Sequence, residues 1–269
     1  MLILTPFIIF SHTWALVALT VTMVTISVYE LLKCVGLLKR PTVAIASFAV
    51  ALEAQILVRL LETDRFLTVM LLSYLAYTVM LMTFAVFSKG TVKLPDVCQI
   101  AVMTVYVSFG FAALVLLRDM NASYGIVIFL LAFLIPWVCD AMAYFVGVFF
   151  GKHKMIPDVS PKKTVEGAIG GIVGTVVAAA IFGLIMQFGF GKQPNYVLLL
   201  SVALVGGFVS QWGDLIASLL KREYGVKDYG WMFPGHGGMM DRFDSLFSVS
   251  IFIYIVMRIS EAFPLFVNW

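Results

Sequence analysis

Apolar residues in this chain come in unbroken blocks of about 18 to 28, the length a helix needs to cross roughly 30 Å of hydrocarbon. Hydrophobic residues make up 62% of the 269 and charged residues only 12%, too few polar side chains to cover a soluble domain of this size. The blocks run without period-2 alternation, which argues against a transmembrane β-barrel. The expected fold is all-α: a polytopic transmembrane helical bundle with eight full spans and a short N-terminal hydrophobic segment. The spans are expected near residues 13–32, 43–61, 66–88, 97–117, 123–150, 165–188, 196–220 and 243–263. The extra segment, residues 2–10, is too short to cross alone and reads as a truncated or re-entrant first segment. Its start, Met1-Leu2-Ile3-Leu4, lacks the basic region of a signal peptide.

Basic residues fall on alternate loops. Lys33, Lys39 and Arg40 share one side with Lys89 and Lys93, with Lys152, Lys154, Lys162 and Lys163, and with Lys221, Arg222, Lys227 and Arg242. The other side receives Arg59, Arg65, Arg118 and Lys192. The positive-inside rule makes the richer side cytoplasmic. The chain is therefore expected to be a multi-pass protein of the cell (inner or plasma) membrane, with its active site facing the cytoplasm. Residues 1–122 read as N-terminal membrane helices and 123–269 as catalytic membrane helices with cytoplasmic loops, together one integral unit. Cys34, Cys98 and Cys139 lie in or beside apolar blocks without paired spacing, which argues against a disulfide framework or a zinc site.

Charge inside the apolar blocks is concentrated in the C-terminal half. Asp140 sits about ten residues inside the cytoplasmic end of its span, roughly 15 Å deep at the helical rise. Asp214 lies about six residues above the end of its own span. A carboxylate near the bilayer centre costs on the order of 3 kcal/mol, so such residues face a polar cavity or a partner. Asp214, Ser218, Lys221 and Arg222 fall on one helical face, and Asp241, Asp244, Ser245 and Ser248 form a second stripe. Between the stripes lies Pro234-Gly235-His236-Gly237-Gly238, whose glycines permit positive φ and bring bare amides close to a ligand. Hard carboxylates, lysines and an amide-rich turn describe a Mg²⁺–phosphate site rather than a soft-metal site.

The loop 151–164 adds a second basic feature. Ser160-Pro161-Lys162-Lys163-Thr164 leads into Glu166, so a Ser or Thr with Glu166 is expected to cap the next helix. That helix N-terminus, flanked by two lysines, suits an anionic ligand. Gly167-x-x-x-Gly171 and Gly170-x-x-x-Gly174 read as helix-packing spacings. Pro136 is expected to kink its span near Asp140.

The run Ser218-x-x-Lys221-Arg222-x4-Lys227-Asp228-x5-Pro234-Gly235-His236-Gly237-Gly238-x-x-Asp241-Arg242-x-Asp244 resembles the signature of phosphatidate cytidylyltransferases. A second block, Asp140-x-x-Ala143-Tyr144-x-x-Gly147-x-x-Phe150-Gly151-Lys152 followed by Ser160-Pro161-Lys162-Lys163-Thr164-x-Glu166-Gly167, is similar to the same family. The resemblance covers about residues 13–265 and departs at the N-terminus, where the family has a full first helix preceded by basic residues. It implies transfer of a cytidylyl group from CTP to phosphatidic acid, giving CDP-diacylglycerol and pyrophosphate. It also implies Mg²⁺ as cofactor, with or without a second, monovalent cation. On this reading Asp214 and Asp241 hold the divalent cation, with Asp244 and Asp140 as further carboxylates. Lys221, Arg222, Lys227 and Arg242 bind the CTP phosphates, while Ser160, Lys162 and Lys163 hold the phosphatidate headgroup or the nucleotide. Ser218, Gly235, His236, Gly237 and Gly238 complete the substrate contacts.

The expected partners are CTP, phosphatidic acid and the lipid bilayer, with no nucleic acid; glycine-lined helices are compatible with a homodimer. An ion-coupled transporter would explain Asp140 and Asp214 but leaves the Lys- and Gly-rich loop without a role. Another lipid-phosphate or nucleotide transferase is the nearer alternative, separable by whether a CDP-lipid forms.

Overall fold

A computed structural model of the chain describes residues 11, 13–121, 124–232, 237–260 and 265–267. The expected short segment at residues 2–10 lies outside them. Eight long helices dominate the described chain: α1 (Trp14–Val35), α2 (Pro41–Leu60), α3 (Thr63–Phe87), α4 (Leu94–Asp119), α5 (Gly125–Phe150), α6 (Val165–Phe190), α7 (Tyr196–Glu223) and α8 (Met240–Ile259). The first seven are long and apolar enough to cross a membrane. The chain is thus a multi-pass helical membrane protein. The eighth coincides with the last expected span but carries Asp241, Arg242, Asp244 and Arg258 in its 20 residues, which sets it apart in polarity.

Helix ends sit where the sequence supplies stop and start chemistry. Thr13 caps α1 by accepting from the Ala15 amide at 3.1 Å, and Pro41 opens α2. Gly36 ends α1 in the left-handed region at φ 80°, a conformation other side chains resist, and its amide closes on Leu32 and Lys33. Pro136 is accommodated inside α5.

The basic stretch 151–164, read from sequence as a loop, contains an antiparallel hairpin. Strand β1 (Lys154–Ile156) pairs with β2 (Ser160–Thr164), Lys154 opposite Thr164 and Ile156 opposite Ser160. The pairing rests on backbone hydrogen bonds, which a Lys- and Pro-rich composition does not advertise. A second pair of two-residue strands, β3 (Gln193–Pro194) and β4 (Phe266–Val267), is also antiparallel.

The described chain divides into two compact units. One comprises residues up to Asp119 together with Lys221–Phe243. In it α4 is the central helix, with Val107, Phe111, Ala112, Ala113, Leu114, Val115 and Leu117 all buried. By contrast α3 buries only Phe66, Met70, Tyr77 and Leu81 and exposes Leu71, Leu72, Leu75, Val79 and Val86. Such an apolar outer face needs a lipid solvent. Polar contacts join the helices of this unit: Ser47 with Tyr77 at 2.7 Å, Gln55 Nε2 to the Ser108 carbonyl at 2.8 Å, and Ser73 to Glu53 at 2.9 Å. At the far end Arg59 joins α2 to α4 through Asp119 at 2.6 Å.

The other unit comprises residues 120–220 and 244 onward. Its centre is the α5–α6 contact, where glycines replace side chains at each turn. A Cβ on Gly167 would lie 2.7 Å from the Ala143 carbonyl, and one on Gly171 would lie 2.8 Å from that of Cys139. The expected packing role of these glycines is therefore observed. On α7, Gly213 meets α8 as closely: a Cβ there would come within 2.3 Å of Ser248 Oγ.

Candidate functional site

In the second unit a cavity of about 410 Å³ opens where α5, the hairpin, the start of α6 and α7 approach one another. Asp140, Tyr144, Lys154, Lys162, Lys163 and Asp214 line it, with Thr164, Gly167 and Gln211. Lys163 Nζ stands 2.6 Å from Asp214 Oδ2, both side chains about a quarter exposed, and Ser218 Oγ donates to Asp214 Oδ1 at 3.2 Å. Gln211 on α7 donates to the Ala168 carbonyl of α6 at 2.8 Å, which fixes the two helices beside the cavity.

The cavity floor begins at a helix terminus. Thr164 Oγ1 accepts from the Gly167 amide at 3.1 Å, so the expected cap is Thr164. Glu166 does not complete a capping box. Its carboxylate instead accepts the Lys152 and His153 amides at 3.1 and 3.2 Å and pairs with His153 Nδ1 at 2.6 Å. Glu166 thus staples the hairpin's entry to the start of α6, and the helix's positive end lies beside Lys162 and Lys163. Of the residues expected here, Asp140, Lys162, Lys163 and Asp214 come together around the cavity. Ser160 begins β2, opposite Ile156, and is not among the lining residues.

Asp244 belongs to this unit as well. It is 8% exposed, and its Oδ1 accepts from the Ser245 amide at 2.7 Å. The turn of α8 that carries it packs against Gly213, the residue before Asp214.

A second polar centre lies in the first unit and is built on the signature run. Asp241, only 4% exposed at its side chain, accepts Lys221 Nζ at 2.7 Å on one oxygen. Its other oxygen takes the Tyr229 and Gly238 amides at 2.8 and 2.9 Å. Lys221 Nζ also lies over the Tyr229 ring, 5.5 Å from its centre. Gly237 adopts φ 83°, the left-handed conformation that its place in this turn requires. Arg222, Lys227 and Arg242 are exposed around this centre. Gly235 and His236 lie outside the described residues.

Two contacts here have no counterpart in the sequence reading. Glu30 on α1 is 3% exposed and accepts the Met239 and Met240 amides at 3.0 and 2.9 Å. Tyr224 donates its hydroxyl to Asp96 at 2.7 Å, and burial, aided by that carboxylate, pushes the phenol well above its ordinary range, so it remains a neutral donor. Glu30 was findable in principle, being a carboxylate within an apolar span.

The donors suit a hard cation, because Asp140, Asp214, Asp241 and Asp244 offer carboxylate oxygen only. Among the described residues, however, no three His, Cys, Asp or Glu stand together as a metal cage. A Mg²⁺ ion needs only one or two carboxylates, with water and substrate phosphate completing its shell.

Helices long enough to cross a membrane define the class: an integral membrane protein, here with a cavity lined by lysines and carboxylates. More narrowly, the chain belongs to the cytidylyltransferase family, whose model matches residues 1–260. It is 39% identical over 180 residues to a phosphatidate cytidylyltransferase of Bacillus subtilis, covering 67% of this chain and 65% of that protein. Proteins of the same name are 36% identical over 189 residues in Staphylococcus haemolyticus (70% of each chain) and 35% identical over 185 residues in Staphylococcus saprophyticus (69% of this chain, 68% of that one). The match to the Bacillus protein thus spans slightly less than two thirds of that relative's length.

Proposed function

We propose that this chain transfers a cytidylyl group from CTP to phosphatidic acid, releasing pyrophosphate and forming CDP-diacylglycerol for phospholipid synthesis. The observation that carries this reading is the cavity at the head of α6, where Lys154, Lys162 and Lys163 and a helix N-terminus face Asp140 and Asp214. An oxygen of the lipid phosphate attacks the α-phosphorus of CTP, and the bond from that phosphorus to the β-phosphate bridge oxygen breaks. The nucleophile is already ionised at neutral pH, so no general base is required. The demand on the protein is to neutralise charge, align the two phosphates and hold the leaving pyrophosphate.

Lys162 and Lys163 are positioned by the hairpin to neutralise phosphate oxygens. Lys221, Arg222, Lys227 and Arg242 form the basic set proposed for the triphosphate, with Gly237 and Gly238 offering backbone approach. Asp214 and Asp241 are the carboxylates proposed to hold Mg²⁺, with Asp244 and Asp140 as further, supporting carboxylates. Bound metal would supply charge neutralisation and polarisation of the phosphoryl oxygens. The proposed topology is eight crossings, with the lysine-rich ends cytoplasmic.

Purified protein supplied with labelled CTP and phosphatidate is expected to move label into chloroform-extractable lipid. Product should rise with added Mg²⁺ and vanish with EDTA. Transfer undiminished by EDTA would overturn the metal assignment, and absence of a cytidylyl lipid would overturn the reaction.

A further inference from the structure

The first amides of an α-helix lack intrahelical partners, and a Ser, Thr, Asp or Asn just before the helix ordinarily takes one of them. Before α8 stands Met239, whose side chain carries no oxygen to cap the helix. The acceptor comes instead from α1, about two hundred residues earlier. Glu30 Oε1 receives the Met239 amide at 3.0 Å and Oε2 the Met240 amide at 2.9 Å. A carboxylate at a helix N-terminus also meets the positive end of the macrodipole. The fit around Glu30 is tight. A Cβ on Gly230 would lie 2.2 Å from Glu30 Oε1, and one on Gly238 would lie 2.3 Å from it. Both ends of the 230–238 segment are therefore shaped to the carboxylate.

The next residue but one after Met239 is Asp241, whose Oδ2 holds the Tyr229 and Gly238 amides. Two buried carboxylates thus hold the amides around the start of α8, Asp241 those of Tyr229 and Gly238 and Glu30 those of Met239 and Met240, and only one of them belongs to the signature run. From this geometry we infer that Glu30 is a positioning residue for cytidylyl transfer: it sets the start of α8 and so the orientation of Gly237, Gly238 and Asp241 toward the nucleotide phosphates. The inference rests on the proposed reaction, within which it assigns α1 a part. Glu30 touches no reacting atom; it acts through the backbone it binds.

The test compares the full-length wild type with E30Q and G230A in the same detergent. Gln keeps the size of the side chain but offers one acceptor oxygen where two amides need one each. G230A leaves the carboxylate charged and pushes it from its seat, which covers the case in which E30Q does not fold. Each variant is expected to elute as a folded, monodisperse protein, with kcat lowered at least tenfold, KM for CTP raised and KM for phosphatidate unchanged. Amide hydrogen exchange at residues 237–240 should speed up at least tenfold while α4 is unaffected. G189A, at a position with open space around it, should match the wild type throughout. Wild-type kinetics in both variants, or activity that falls only in proportion to the folded fraction, would overturn the assignment. A wild type that forms no cytidylyl lipid would instead overturn the reaction, and the exchange measurement would still report on the clamp.

Discussion

Asp241 and Asp214 carry the same functional group in different surroundings, and the difference predicts different phenotypes. The Asp241–Lys221 pair is nearly enclosed, with side chains 4% and 11% exposed, and the carboxylate also holds two amides. Replacing one member of such a pair strands the other, at a cost of about 3 kcal/mol. D241N is therefore expected to lose both turnover and thermal stability, and K221M added to it should recover part of the melting temperature but no activity. The Asp214–Lys163 pair lines the cavity and is more accessible, 28% and 26% exposed, so losing it should cost less than losing the enclosed pair. D214N should lose turnover while melting within a few degrees of wild type. Fluorescence-monitored unfolding beside the CTP assay checks both; equal stability losses in the two variants would contradict this distinction. The sequence marks Asp214 by its depth in an apolar span and Asp241 by its motif. It does not mark Glu30 as a companion of Asp241, because that side chain's partners are backbone amides far along the chain.

At the level of elements, α5 and α6 touch through glycines rather than through interdigitated side chains, so their separation is set by what is missing. G171A would bring a Cβ within 2.8 Å of the Cys139 carbonyl and 3.1 Å of Cys139 Sγ. It is expected to lower the melting temperature and reduce CTP turnover, since the head of α6 would have to move. G189A on the same helix meets nothing within 4 Å, and should be neutral or slightly stabilising through the better helix propensity of alanine. Identical melts for the two would show that α5 and α6 are not held at glycine-limited distance. The helices themselves were legible from their apolar blocks, and the glycine contact from its four-residue spacing. The hairpin was not legible: its strands are three and five residues long, and its pairing lies in backbone hydrogen bonds.

For the whole molecule, hydropathy and loop charge together predict an orientation that the fold leaves open to experiment. K39C should react with a membrane-impermeant maleimide only from the cytoplasmic side, and R65C only from the opposite side, each in a background lacking Cys34, Cys98 and Cys139. Reaction of both from one side would refute the proposed alternation. The assignment of residues 221–243 to the same unit as the first four helices lay beyond a local reading, because it is made by contacts such as Glu30 with Met239 and Tyr224 with Asp96.

Strand β2 runs directly into α6, with Thr164 ending one and capping the other. No spare residue separates Lys162 and Lys163 from the helix that follows, so this stretch works as a ruler of fixed length. One inserted residue there would rotate α6 by about 100° relative to its lysines. The turn at 157–159 carries no such constraint. Gains and losses of chain length across homologous sequences are therefore expected to collect at that turn and to spare residues 160–167.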